Sequence, residues 1–206
     1  MSQQEQVHHP LVITMWETYG SGMEQVAEAV GRELSLPVHA QAFTSEQIEQ
    51  SEAERAKEGG FARFVRRVGA VHIDDAVADG TARTEQESWV ELARRNTQTV
   101  RETAAGGGII LGRNGAFILH DAPRSLHVKL DGRAKDRAAL AAEMKKIPLE
   151  QATRRLPRED EFRRNLSLRT YNFDPASNEY YTIVLNSPRL GLRETVRLIV
   201  EASRHL

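Results

Sequence analysis

The sequence predicts an α/β protein: a parallel sheet of about five strands with helices on both faces. Three observations predict it. Residues 11–15 (LVITM) and 109–111 (IIL) are short apolar runs without alternation, as expected of strands covered on both sides. These runs alternate with longer stretches of helical period, the pattern of strand–helix–strand units. The first run leads into Gly20-Ser21-Gly22 and then a helix-forming stretch. In that order the first amides of a helix face outward, and glycines let an anion approach them.

The elements follow in order. Residues 22–35 form a helix with Val26, Ala27, Val30 and Leu34 on one face, ended by Pro37. Val38 opens a short second strand or extended segment. Residues 44–58 read as a charged helix capped by Thr44 or Ser45 and stopped by Gly59-Gly60. Phe61, Phe64, Val65 and Val68 give the next segment an apolar face, and residues 71–84 are ambiguous. Residues 85–104 are the longest helical stretch, with Trp89, Leu92, Ala93, Val100 and Ala104 at helical spacing. Gly106-Gly107-Gly108 break it before the strand at 108–112. A short helix follows at 114–120, then a strand at 126–130 and a helix at 133–146. Pro148 opens a helix to about Leu156, and a separate helix covers 159–171. The last strand is 181–186 and the last helix 192–204.

The chain has 206 residues, 40% of them hydrophobic and 28% charged, enough for one compact domain. That domain is expected over 11–206, after a polar tail at 1–10. A net charge of −1 gives no global attraction to nucleic acid or to an anionic membrane. No apolar run approaches the roughly 20 residues that span a bilayer, and the first residues lack signal-peptide features. A cytoplasmic location is the expectation. With no cysteine, disulfides, thiolate catalysis and cysteine-ligated zinc are excluded.

The candidate phosphate cradle is Tyr19, Gly20, Ser21, Gly22, Met23 and Glu24. Met23 and Glu24 stand where the motif G-x-x-x-x-G-K-[ST] has its lysine and hydroxyl residue. No Lys or Arg lies between Val7 and Val30, so the nearest downstream cation is Arg32. Glu17 could hold a magnesium ion through water, but beside a phosphate it would also repel. The alternative is a tight turn that no longer binds anything. Arg113 follows the 108–112 strand, where carboxyl ends of parallel strands face a ligand crevice. It could grip a phosphate bidentately or pair with Asp121 or Asp136. Six arginines, Arg154, Arg155, Arg158, Arg163, Arg164 and Arg169, fall within sixteen residues. They exceed the local acids Glu159, Asp160 and Glu161, although an ordinary i,i+4 pair such as Glu159–Arg163 is also available.

The stretch ILGRNGAFILHDAPRSLHVKLDGRAKDRAA resembles the central segment of cytidylate kinases, with its strand, Gly-Arg, short helix and Asp-Ala-Pro turn. The chain is most similar to the cytidylate kinase-like family, whose first loop reads S-R-E-Y-G-S-G-G. Here Tyr19-Gly20-Ser21-Gly22 keep its centre, Asp160 and Arg163 fit its D-x-x-R helix, and Asp174-Pro175 with residues 180–187 fit its last strand. The likeness runs from about residue 11 to 203. It implies a three-layer P-loop NTPase-like fold with an arginine-rich lid at about 148–170. It also implies phosphoryl transfer from a nucleoside triphosphate, such as ATP, with Mg2+, to a nucleoside monophosphate or similar small acceptor. In that picture residues 19–24 hold the donor, Arg113, Asn114 and Asp160 position the acceptor, and Arg158 and Arg163 are catalytic. The partners would be small nucleotides, without nucleic acid or membrane, and a homodimer is compatible.

Three positions depart from the pattern. Trp16-Glu17-Thr18 replace Ser-Arg-Glu, so an acid stands in place of an arginine. Met23 replaces a glycine, and Asn114 replaces the aspartate that holds the sugar in true cytidylate kinases. Asn114 could bond a sugar hydroxyl or cap a helix. These departures support the second functional reading, a silent nucleotide-binding relative with a regulatory or protein-interaction role. His8-His9 read as a polar tail, and His72, Asp74 and Asp75 as a helix start rather than a zinc site. Trp89 reads as core, and Trp16 as either a base-stacking ring or a space filler.

Overall fold

The computed structural model describes residues 9–40 and 82–206. The segments expected at 44–58 and 61–68, most of 71–84, and the His72 cluster lie outside the described residues. Five parallel strands form one sheet: β1 (Val12–Glu17), β2 (Val38–His39), β3 (Gly108–Leu111), β4 (Ser125–Asp131) and β5 (Ile183–Asn186), in spatial order β2-β3-β1-β4-β5. Each strand matches a predicted one. β1 runs two residues further than its apolar core, because Trp16 and Glu17 pair in register with Lys129 and Leu130 of β4. The described helices are α1 (Met23–Leu34), α2 (Ala82–Ala105), α3 (Gly115–Ile118), α4 (Ala134–Lys145), α5 (Leu149–Tyr171), α6 (Ser187–Leu190) and α7 (Leu192–Ser203).

The two faces of the sheet differ in chemistry. Ile13, Met15, Ile109, Leu111, Leu126, Val128 and Leu130 point to one face and pack on Met23, Val26, Ala27 and Val30 of α1 and Val196, Ile199 and Val200 of α7. Burying such a side chain stabilises by about 1.5–3 kcal/mol, so this layer supplies most of the cohesion. The opposite face carries Val12 and Ile110, packed on Val100 of α2 and on Leu119. It also carries three buried polar residues, Thr14, His127 and Lys129. Each is satisfied locally, as buried polar groups must be. Thr14 Oγ1 lies 2.8 Å from His127 Nδ1, and Ser125 Oγ lies 3.2 Å from Nε2. Lys129 Nζ donates to the Ala176 carbonyl at 2.7 Å and to Asn178 Oδ1 at 3.0 Å, which pins the segment before β5 onto the sheet.

One expectation is corrected. Residues 149–171 form a single helix, not two, with Pro157 inside it. A proline breaks a helix by removing one N–H and crowding the preceding turn. Here Pro157 and Thr153, whose carbonyl loses its partner, lie on the exposed side. Ala152, Leu156, Phe162 and Ser167 hold the buried side, and that packing carries the helix through. Water can solvate the freed carbonyl. Pro157→Ala should therefore keep the fold and add about 1–3 kcal/mol of stability, read from denaturant melts; a destabilised variant would show that the proline sets a required bend.

Candidate functional site

The candidate site lies at the carboxyl edge of the sheet, where β1 passes through residues 18–22 into α1. Gly20 and Gly22 have positive φ, 84° and 81°, so the turn has the shape of an anion-binding loop. Gly20 is also a close approach: a Cβ there would fall 2.5 Å from the Arg137 carbonyl of α4. Gly22 lies under Met144 and Leu140 of the same helix. The turn is covered, and Tyr19, Ser21 and Met23 are each about 1% exposed.

Two of its amides are taken by carboxylates of the chain itself, and Ser21 N bonds the Thr18 carbonyl. Glu17 Oε2 accepts from Met23 N at 3.0 Å, so a side chain from the end of β1 occupies the start of α1. Asp160 Oδ1, from α5, accepts from Tyr19 N at 2.7 Å. Arg137 ties this arrangement together. It donates to Asp160 Oδ2 at 2.8 Å, to the Tyr19 carbonyl at 2.9 Å and to the Gly132 carbonyl at 3.0 Å. Thr18 Oγ1 donates to Asp131 Oδ1 at 2.7 Å, and Ser187 Oγ donates to the Ser21 carbonyl at 2.6 Å. Glu17 is buried, and burial raises its pKa. The Arg163 guanidinium and the Met23 N–H counter part of that rise.

The predicted site residues separate into two places. Tyr19, Gly20, Ser21, Gly22 and Met23 form the loop, with Asp160 and Arg163 beside it, while Glu24 is exposed on α1. Asp160, expected on the acceptor side, contacts the glycine loop through Tyr19 N. Arg163 Nη2 pairs with Glu159 Oε2 at 3.0 Å, the ordinary i,i+4 pair, and its guanidinium lies 6.0 Å from the Tyr19 ring centre. Its Nη1 is buried without a hydrogen-bond partner. Arg158 lies on the exposed side of α5. The local acids do not have to balance the arginines of α5 alone. Glu150 pairs with Arg154, and Asp174 takes Arg164 bidentately at 2.7–3.0 Å.

Arg113 and Asn114 stand apart, in the left-handed turn after β3, with φ of 54° and 55°. Arg113 Nε donates to the Ala40 carbonyl at the end of β2, at 3.1 Å. Burial lowers its pKa, and no acid among the described residues opposes that shift. Asp121 and Asp136, the anticipated partners, pair instead with His120 and Arg133. Asn114 makes no side-chain cap, and its Oδ1 accepts from Ser167 of α5. Asn96 of α2 donates to the Arg113 carbonyl and to the Tyr171 hydroxyl, both at 2.8 Å, and so fastens the turn to α2 and α5. Lys129 Nζ lies 5.5 Å over the Trp16 ring, and the Tyr181 ring is 6.3 Å away.

Arg137, Asn96 and Lys129 were missed by the sequence reading. Each acts on a partner distant in the chain. Only the buried lysine in a strand carried a signal, as a charge interrupting an apolar alternation. Among the described residues no three carboxylate or imidazole groups converge on a cation site. Glu17 faces Met23 N, and Asp131 Oδ1 accepts from Thr18 Oγ1 and from the Gly132 N–H.

Two outcomes follow from the covered turn. Gly20→Ala should cost about 2 kcal/mol or more in denaturant melts, because backbone strain and the Arg137 carbonyl act together; a neutral change would mean the loop is loose. Glu17 has a folded pKa above its ordinary 4.5. Its contribution is therefore fully present below that value and is lost as pH rises through the raised one. Glu17→Gln still accepts from Met23 N but cannot ionise. It should be more stable than the parent at pH 8, with the difference closing below about pH 4. A difference independent of pH would contradict the buried charge.

The model described as cytidylate kinase-like family matches residues 12–189. A uronate isomerase of Corynebacterium glutamicum is 27% identical over 144 residues, 70% of this chain and 27% of that protein. The chain thus spans about a quarter of the length of that curated relative. An uncharacterized protein from Eubacterium ventriosum has a similar structure, with a TM-score of 0.64 at 13% identity, covering 95% of this chain and 99% of that one. A deoxyadenosine kinase from M. mycoides overlaps more loosely, with a TM-score of 0.46 at 10% identity, over 95% of this chain and 100% of that one. With a five-stranded parallel sheet and a family match over most of its length, the chain belongs to the cytidylate kinase-like family.

Proposed function

We propose that this chain is a catalytically silent kinase-like domain with a regulatory or protein-interaction role. The Glu17 carboxylate on the Met23 N–H carries the reading. A helix start stabilises negative charge by about 0.3–1 kcal/mol, up to about 2 when partly buried, and Glu17 takes that stabilisation. A triphosphate entering the same place meets like charge. Each pair of unit charges at 4 Å repels by about 4 kcal/mol at an effective dielectric of 20. The loop also lacks a lysine, and losing one such charge stabiliser costs roughly 3–4 kcal/mol of transition-state stabilisation. Both effects oppose donor binding, and nothing in the loop compensates.

A second reading keeps phosphoryl transfer from a magnesium–triphosphate to a nucleoside monophosphate. Arg113 favours it: a half-buried guanidinium at the carboxyl edge, with no acid among the described residues opposing the shift that burial imposes, suits a phosphate. There the chain's residues would bind and align, since phosphoryl transfer needs position and charge more than covalent help.

A turnover assay with magnesium ATP and cytidine or other monophosphates separates the two. The silent reading expects no product and no thermal shift with magnesium ATP at millimolar concentration. Turnover would replace it with the kinase reading. In that case Arg113→Ala should lower monophosphate affinity about tenfold or more with an unchanged melting temperature.

A further inference from the structure

We infer that His127 is an acid-sensitive latch: its neutral ring ties the segment from α3 to β4, residues 115–125, to β1, and a second ring proton breaks that tie. The latch works the same way whether the chain is silent or turns over nucleotide. The proton count fixes the tautomer. Ser125 Oγ donates its one proton to the Ala122 carbonyl at 2.6 Å, so towards His127 Nε2, 3.2 Å away, it can only accept. The Leu119 carbonyl, which also only accepts, faces the ring from the same segment. Nε2 therefore carries the proton of the neutral ring, and Nδ1 is bare. Nδ1 accepts from Thr14 Oγ1 of β1 at 2.8 Å. One imidazole thus joins β1, β4 and the turn after α3.

A second proton has only Nδ1 to go to, and there it meets the Thr14 hydroxyl proton. Thr14 could accept the new N–H only by turning its own proton away, and its hydroxyl has no other partner among the described residues. The surroundings do not stabilise the charge either. The residue is 5% exposed, and no carboxylate among the described residues acts on the ring. β1 presents the Thr14 hydroxyl. Ahead of β5 come Thr182, which bonds the His127 main chain, and the Tyr181 phenol beside Lys129. β4 adds the Lys129 ammonium two residues on, on the same face. α2 packs on this face through Val100, and beyond α3 stands His120, paired with the exposed Asp121. Burial lowers the ring's pKa from the ordinary 6.5; the Leu119 carbonyl offsets part of that, and His120 adds to it. Opening the segment frees the ring to take its proton, so acid favours the opened form. What opens is α3 and the turn after it, where Ile118, Leu119 and Ala122 rest on Val12, Ile110 and Val100.

The test is hydrogen exchange of the full chain from about pH 7.5 to about pH 5, each rate corrected for intrinsic exchange at that pH. Ile118, Leu119 and Ala122 report on the segment, since their amides bond to carbonyls at residues 114–119. Ile199 and Val200 of α7, on the other face of the sheet, are the control. Below the ordinary histidine pKa, protection at the three amides should fall by up to about tenfold per pH unit, the limit for one linked proton, while α7 keeps its protection. Protection that holds throughout, or that falls equally in α7, would overturn the latch. His127→Gln, uncharged at every pH, should make the three amides independent of pH; a dependence that survives in the folded variant would assign it to another group. A nitrogen-15 spectrum of the parent's ring needs no variant. Near pH 7.5 it should show Nε2 protonated and Nδ1 bare, and the reverse assignment would refute the tie to Thr14. Both parent measurements decide the matter if His127→Gln does not fold.

Discussion

The arrangement of this molecule depends on a carboxylate at the start of its first helix. A helix N-terminus presents unpaired amides and partial positive charge, and something must satisfy them. In a phosphate-binding loop the substrate can do so. Here Glu17 does so, although its burial disfavours the charged form. Once that position is filled from inside, the loop can be roofed. Tyr19, Ser21 and Met23 become core residues, and α4 packs directly on Gly20.

The second face of the sheet follows a related rule. A parallel sheet between helical layers leaves no strand face in water. Polar residues placed there need internal partners, and Thr14, His127, Ser125 and Lys129 find them in one another and in the segment before β5. These contacts connect distant parts of the chain: β1 to β4, and β4 to the residues after α5. The same logic joins the loop to α5 through Asp160 and Arg137. A site made of such links responds as a unit, since freeing one member leaves another buried and unsatisfied.

Much of the fold was legible because it is written in local pattern. Short apolar runs marked β1 and β3, alternation of Leu126, Val128 and Leu130 marked β4, Val38 after Pro37 marked β2, and glycines marked the turns after β1 and before β3. The site was only partly legible. The glycine loop and the exchange of an arginine for Glu17 were visible by position. That Glu17 would fold back onto Met23 N was not, because a carboxylate beside a loop can equally hold a metal or face water. The contact of Asp160 with Tyr19 N was not legible either, since helical spacing says which residues share a face but not what that face meets. The division of α5 at Pro157 failed for the opposite reason. Propensity is local, and packing of Leu156 and Phe162 outweighed it.

The amino-acid sequence by itself determined the alternation of strands and helices, the parallel sheet, the glycine turn and its missing lysine. These are properties of neighbouring residues, and hydrophobic period and backbone sterics suffice to set them. Only the tertiary structure decided who occupies the turn. That outcome depends on the distance between groups as far apart in the chain as Tyr19 and Asp160. Electrostatic and hydrogen-bond energies act through space, so their result appears only once the chain has brought those groups together.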